Sequence, residues 1–306
     1  MRSSGIGGQA VMEGVMMRNG HLYAVAIRKP DNEIEVMTDQ YSPLTERHKL
    51  FSLPFIRGIF AFVDSLKLGL GIMSYSASFY EDEEPLDEDP EKAKKKEDML
   101  MGITMAAAVV LAVVIFMLLP MFLANLLRRF ISSSILMGLI EGLLRLAIFL
   151  GYVAAISLME DIRRVYMYHG AEHKCINCIE HGLDLTVENV RASSRQHKRC
   201  GTSFLLFVVF VSIVFSMIIQ TDVLWMRMLL RILMIPVIAG ISYEILRLAG
   251  NSDNPVINAL SKPGLMLQRL TTREPDDSMI EVGIKSVEAV FDWKQYEAET
   301  FGRKFD

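Results

Sequence analysis

MLMGITMAAAVVLAVVIFMLLPMFLANLL, Met99 to Leu127, carries no charged side chain over 29 residues. A membrane-crossing helix needs roughly 20 apolar residues, so this stretch predicts a span and with it the fold class. Three further runs extend the reading. Ile131 to Met159 is interrupted by Glu141 and Arg145, which lie four apart, share a helix face and can pair. Gly201 to Thr221 is uncharged. Ile232 to Ala249 contains Pro236, with Glu244 and Arg247 three apart near its end. Charges in such segments are costly in lipid and face a bundle interior or a wet cavity, or serve as paired glue near helix ends. The expectation is a mainly α, polytopic membrane bundle with about four spans.

Composition agrees. Hydrophobic residues make up 51% and mean hydropathy is +0.30, too apolar for an ordinary soluble chain. A formal charge of −4 and the lack of a basic block argue against a nucleic-acid partner. The opening MRSSGIGGQAVMEG lacks the apolar core of a cleavable signal peptide. Three clustered cysteines, an odd number, point to reduced thiols or metal ligands rather than a disulfide framework.

Orientation is read from Lys and Arg near the span ends. Lys92 and Lys94 to Lys96 precede the first span, and Arg163, Arg164, Lys174, Arg191, Arg195, Lys198 and Arg199 lie between the second and third. Arg128 and Arg129 occupy one short turn and Arg227 the other. This asymmetry places both termini and the 160–202 loop in the cytoplasm of a bacterial plasma-membrane protein.

The remaining segments are less apolar. Leu50 to Tyr80 is interrupted by Arg57, Asp64 and Lys67 and weakened by Pro54 and several glycines. It reads as an amphipathic surface helix or a re-entrant element. EDEEPLDEDPEKAKKKED reads as a solvated tether. HLYAVAIR and EIEVMTD alternate around KPDN, which predicts a small N-terminal β-hairpin over about His21 to Asp39. Glu13, the one acid of the first thirty residues, is a solvated, salt-bridged or functional carboxylate. Ile280, Ile284, Val287 and Phe291 recur at helical spacing, with Asp277 or Ser278 as cap. The chain thus divides into 1–48, a glycine-rich segment and hairpin; 49–80, the ambiguous helix; 81–98, the tether; 99–159, spans one and two; 160–202, the loop; 203–249, spans three and four; and 250–306, a cytoplasmic helical segment.

Chemistry concentrates in Tyr168 to Thr202, YHGAEHKCINCIEHGLDLTVENVRASSRQHKRCGT, which holds four of the six histidines and all three cysteines. Two metal readings overlap. His169, Glu172 and His173 spell H-x-x-E-H, the order of inverted zincins. On a helix the two histidines point one way and can grip one zinc ion, with Glu172 as base, and His197 and Cys200 are candidate further ligands. A bound metal acidifies water to about pKa 7, which permits hydrolysis. Alternatively, Cys175-x2-Cys178 and His197-x2-Cys200 match a closed Cys3His structural zinc site. A hydrogen-bonded cluster without metal is the third reading. His181, before Gly182, reads as a helix C-terminal cap, and Thr186 as the N-cap of a short helix from Val187 to about Ser194.

At these residues the chain resembles the YqhQ family of bacterial multi-pass membrane proteins. The resemblance rests on GGQAVMEGVMMR (Gly7 to Arg18), YHGAEHK (Tyr168 to Lys174), LTVENV (Leu185 to Val190), HKRCGTSF (His197 to Phe204) and LQRLTTREPDD (Leu267 to Asp277). It spans nearly the whole chain. It implies the membrane architecture and the label of a predicted metal-dependent enzyme. It favours a site built from His169, Glu172, His173, His197 and Cys200 over one using Cys175 and Cys178. Two functions follow. One is a zinc-dependent membrane hydrolase. The other is a non-enzymatic factor that assists or regulates protein translocation, insertion or lipid handling through a polar cavity holding Glu141, Arg145, Glu244 and Arg247. The expected surroundings are the lipid bilayer and a membrane partner such as translocation machinery.

Overall fold

The structure is a computed structural model and describes residues 3–80, 90–219, 221, 223–250 and 254–305. Its elements run β1 (Gly7–Val11), β2 (Gly14–Asn19), β3 (Leu22–Arg28), β4 (Ile34–Gln40), α1 (Leu44–Arg47), α2 (Ile56–Ala77), α3 (Pro90–Val113), α4 (Leu119–Leu126), α5 (Ser134–Ile156), α6 (Glu160–Glu180), α7 (Val187–Ala192), α8 (Gly201–Ile218), α9 (Leu224–Gly250), α10 (Pro255–Thr271), α11 (Asp277–Glu288) and α12 (Trp293–Phe301). Four helical stretches are long and apolar enough to cross a membrane: Met99–Leu126, Ser134–Ile156, Gly201–Ile218 and Trp225–Gly250. The chain is a polytopic helical membrane protein with an additional helix, α2, and a small N-terminal sheet.

Two compact units emerge. The first comprises 1–80, 153–208 and 236–306. Its sheet is an antiparallel meander in the order β1-β2-β3-β4. The predicted hairpin is β3–β4, paired from Leu22 opposite Gln40 to Arg28 opposite Ile34. The glycine-rich segment forms a second hairpin, with Gly7 opposite Arg18 and Val11 opposite Gly14. Side-chain alternation explains why it is a strand. Val15 and Met17 enter one core with Tyr168, Ile179 and Ile280. Met16 enters another with Val25 and Ile72. Successive strand residues face opposite sides, so both faces of β2 and β3 are covered.

Several local expectations change. The cap of α11 is Asp276, whose carboxylate accepts from the Met279 N–H at 2.9 Å, so α11 begins one residue earlier than an Asp277 cap, and two earlier than a Ser278 cap, would allow. Thr186 caps α7 as expected, accepting from the Asn189 N–H at 3.3 Å. His181 ends α6, followed by Gly182 at φ +70°. The charged tether is helical from Pro90 onward, since proline suits a first helical position and Lys and Glu are good helix formers. Its residues 81–89 lie outside the described residues. Glu244 pairs with Arg57 of α2, Nε donating at 2.7 Å, rather than with Arg247.

The second unit comprises 81–152 and 209–235. Here the first span is broken by a π-helical turn, Val114–Leu118. Pro120 accounts for the break: it has no N–H and clashes with the carbonyl four residues back. That carbonyl, Phe116 O, accepts instead from Arg145 Nε at 2.9 Å. Arg227, expected in a turn, lies in the first turn of α9 because that helix starts at Leu224. Glu141 and Arg145 pair at 3.1 Å as their spacing predicts, and Glu141 also accepts from Arg231.

Candidate metal centre

Helix α6 carries the site. Its core-facing side packs on the sheet and on α11, burying every residue from Gly170 to Glu180. Close approach is needed at Gly170, where an added Cβ would meet the Arg273 carbonyl at 2.0 Å. That approach brings the 271–273 segment against the helix, where the Arg273 N–H donates to Tyr166 O at 2.8 Å. From the other side Lys174 Nζ donates to Arg191 O and Ser193 O, at 2.8 and 2.9 Å. Asn177 Nδ2 donates to Ser194 O and Gln196 O, at 2.6 and 3.0 Å. These four bonds fix the loop that returns Cys200 to α6.

The two gripped segments hold the histidines. His169 Nδ1 lies 2.8 Å from Thr271 O, and His173 Nδ1 lies 2.6 Å from Arg195 O. A carbonyl only accepts, so each ring donates from Nδ1, and in the neutral ring Nε2 then offers its lone pair. Metal-ligating histidines are oriented by such backing bonds. His169 Nε2 sits 3.2 Å from Cys200 Sγ. His173 Nε2 is buried and has no hydrogen-bond partner among the described residues. Leaving a buried polar atom unpaired costs about 1–3 kcal/mol, so this atom awaits an electron-pair acceptor. Among the described residues His169, His173 and Cys200 are the one group of three whose ligand atoms lie within 4.8 Å of one another. Two imidazoles and a thiol are a donor set that fits zinc.

Glu172 stands beside this group, Oε2 at 3.8 Å from His169 Nε2. Burial raises its pKa to about 7, against the lowering effects of His169 and the Gly8 N–H. Gly8 is required there: an added Cβ would lie 2.6 Å from Met16 O and 2.7 Å from Glu172 Cγ. A cavity of about 600 Å³, lined by Gly7, Gly8, His169, Glu172, Arg199 and Cys200 among others, opens onto the cluster.

The other sequence candidates are not among these three ligands, although the His197 ring lies beside that of His173, centroids 5.8 Å apart. Cys175 and Cys178 lie on the opposite side of α6, six and nine residues from His169 and so about 240° and 180° around the helix. Cys175 is packed beside Gly283, and the Cys178 thiol donates to the Asp184 carbonyl at 3.4 Å. Burial raises both thiol pKa values, that of Cys178 to about 12. They do not meet His197 and Cys200. His197 turns to Glu180, at 3.4 Å, and burial lowers its pKa. Burial alone would raise Glu180, but His197, the Ser4 N–H and Arg199 together hold it at about 2. Glu13 occupies the two-residue turn between β1 and β2 at φ +49°, a costly conformation for a non-glycine residue. Its carboxylate takes both Nε and Nη2 of Arg164 and the Tyr168 hydroxyl at 3.1 Å.

Three positioning residues escaped the sequence reading: Lys174, Asn177 and Gln268. Gln268 accepts from the His197 N–H and donates to the His197 carbonyl, both at 2.8 Å. Lys174 and Asn177 carried one signal, polar residues within a helix stretch flanked by buried apolar positions.

Residues 53–293 match the family model described as "Protein of unknown function (DUF1385)". The Bacillus subtilis (strain 168) protein "Uncharacterized protein YqhQ" is 41% identical over 286 residues, covering 92% of this chain and 90% of its own length. No solved structure matches.

Proposed function

The chain belongs to the DUF1385 family of proteins of unknown function, and within it we propose a zinc-dependent membrane hydrolase, its centre held by His169, His173 and Cys200 with Glu172 as the base. The supporting observation is the convergence of three donor atoms, two of them on rings whose Nδ1 atoms are already bound to carbonyls. Zinc held by His169, His173 and Cys200 would supply Lewis acidity to a bound water or substrate. The protein's own groups do the rest. Burial raises the Glu172 pKa to about 7 before any metal charge is counted, and a bound cation would draw it toward the ionised form that a base needs. The Gly8 N–H orients that carboxylate, and the cavity admits a substrate to the same wall. Displacement of Cys175 and Cys178 from the cluster favours this open site over a closed Cys3His site.

The Lys and Arg distribution supports a plasma-membrane location with both termini and the 160–202 loop in the cytoplasm. That compartment keeps thiols reduced, in keeping with three free cysteines. A second reading, a factor for protein translocation, insertion or lipid handling that works with a membrane partner, is favoured by one different observation. Glu141, Arg145 and Arg231 are buried together within candidate spans.

Elemental analysis of purified protein separates the readings. The hydrolase reading expects one zinc per chain in the wild type and in Glu172→Gln, and loss in His173→Ala and Cys200→Ser. A metal-free wild type refutes the centre. A cellular phenotype fully complemented by Glu172→Gln at normal abundance refutes hydrolysis and leaves the membrane-factor reading.

A further inference from the structure

Arginine's guanidinium has a side edge on which Nε–H and Nη2–H point the same way, matched to two oxygens of a carboxylate or phosphate. This chain uses that edge repeatedly. Arg57 puts it on Glu244, Arg164 on Glu13 and Arg191 on Asp277. Arg231 does not. It donates to Glu141 through Nη1 alone, while Nε and Nη2 are buried and lack an acceptor among the described residues.

The surroundings explain why no group among the described residues completes it. Glu141 is the carboxylate of the cluster and is shared with Arg145, whose remaining donors go to Phe116 O and the hydroxyls of Ser212 and Ser216. One carboxylate therefore faces two guanidinium groups, a net charge of +1 in side chains 2% to 7% exposed. Isolated charge in a low-dielectric interior is strongly disfavoured, so such a group requires a counter-ion. Glu141 and Arg231 each stand seven residues into their helices (141 − 134 and 231 − 224), or about 10 Å of helix. Arg227, one turn nearer the end, places its edge on the Thr221 carbonyl, with Nε at 3.0 Å. Basic groups thus line α9 from its first turn inward.

We propose that Arg231 anchors an intramembrane oxyanion site, taking a carboxylate or phosphate on its Nε–Nη2 edge. The site is separate from the proposed metal centre, and its test does not depend on metal or hydrolysis. Its depth suits a group delivered through the membrane, an anionic lipid headgroup or a free anion entering from the end at which α5 and α9 begin.

The full chain in phosphatidylcholine nanodiscs is compared with the same nanodiscs containing phosphatidylglycerol, and with phosphatidylcholine nanodiscs plus inorganic phosphate. All are measured at high salt to screen surface attraction. A ligand that binds only the folded state should raise the unfolding midpoint by about 2–4 °C or more. A rise with phosphatidylglycerol alone identifies the lipid, and a rise with phosphate identifies a free anion. Arg231→Gln, and Arg231→Lys, which keeps charge but loses the fork, should abolish the rise. Arg191→Gln, altering an exposed pair, should keep it. No rise in either wild-type arm overturns the proposal, as does an equal rise in the Arg231 variants. Should both variants fail to fold, native mass spectrometry of the wild type decides, and absence of a retained phosphatidylglycerol or phosphate adduct overturns it.

Discussion

Glu141→Gln is the most informative perturbation of the membrane region. The carboxylate accepts from Arg145 Nη2 at 3.1 Å and from Arg231 Nη1, and all three side chains are buried. The amide keeps size and one acceptor oxygen but removes the only negative charge of the cluster. Breaking one buried ion pair from one side typically costs about 3–5 kcal/mol, because the partner charge stays behind. Here two guanidinium groups are left, so the loss should reach at least that range. With roughly 2 °C per kcal/mol for a chain of this size, the unfolding midpoint in nanodiscs should fall by about 6–10 °C. Intrinsic fluorescence of Trp225 and Trp293 can follow it. Arg145→Gln with Glu141→Gln should restore little, since Arg231 remains charged and unpaired. Neutralising all three with Gln should restore a measurable part, since no charge then remains. A shift below about 1 °C for Glu141→Gln, or a triple variant less stable than the single one, would refute the reasoning that charge balance holds the cluster.

Other outcomes follow from the site and its supports. Gly8→Ala should lower stability by about 1–3 kcal/mol, because the new Cβ would sit 2.6 Å from Met16 O. Unchanged unfolding of that variant would mean β1 is free to move. Glu180, with its pKa held near 2 against a usual 4.5, stabilises the fold above about pH 4.5 and loses that contribution as pH falls toward 2. Denaturant unfolding should therefore show Glu180→Gln costing most at neutral pH and progressively less as pH falls from about 4.5 toward 2; a pH-independent difference counts against the ion pair. Outside labelling of intact cells should reach a cysteine placed at Ser133 and miss one at Glu188, both exposed positions. The reverse pattern ends the cytoplasmic assignment of the loop. Cys200 itself is a poor reporter, being buried.

What could be read in advance were features set by short-range geometry. An uncharged run longer than the bilayer is thick predicts a span wherever it occurs, because lipid leaves backbone groups no partner outside a helix. His169, Glu172 and His173 share a helix side through the 3.6-residue period alone, as Glu141 and Arg145 do. The β3–β4 hairpin follows from alternation around a turn. The spacing of His197 and Cys200 could not say which of them returns to α6. That choice belongs to Lys174, Asn177 and Gln268, whose bonds to loop carbonyls direct Cys200 inward and leave His197 with Glu180. Nor could local pattern show that Arg231 joins Glu141 or that Arg57 claims Glu244, pairs separated by 90 and 187 positions. Periodicity along one helix is written residue by residue, whereas partners across the fold exist only once packing has brought distant segments to one place.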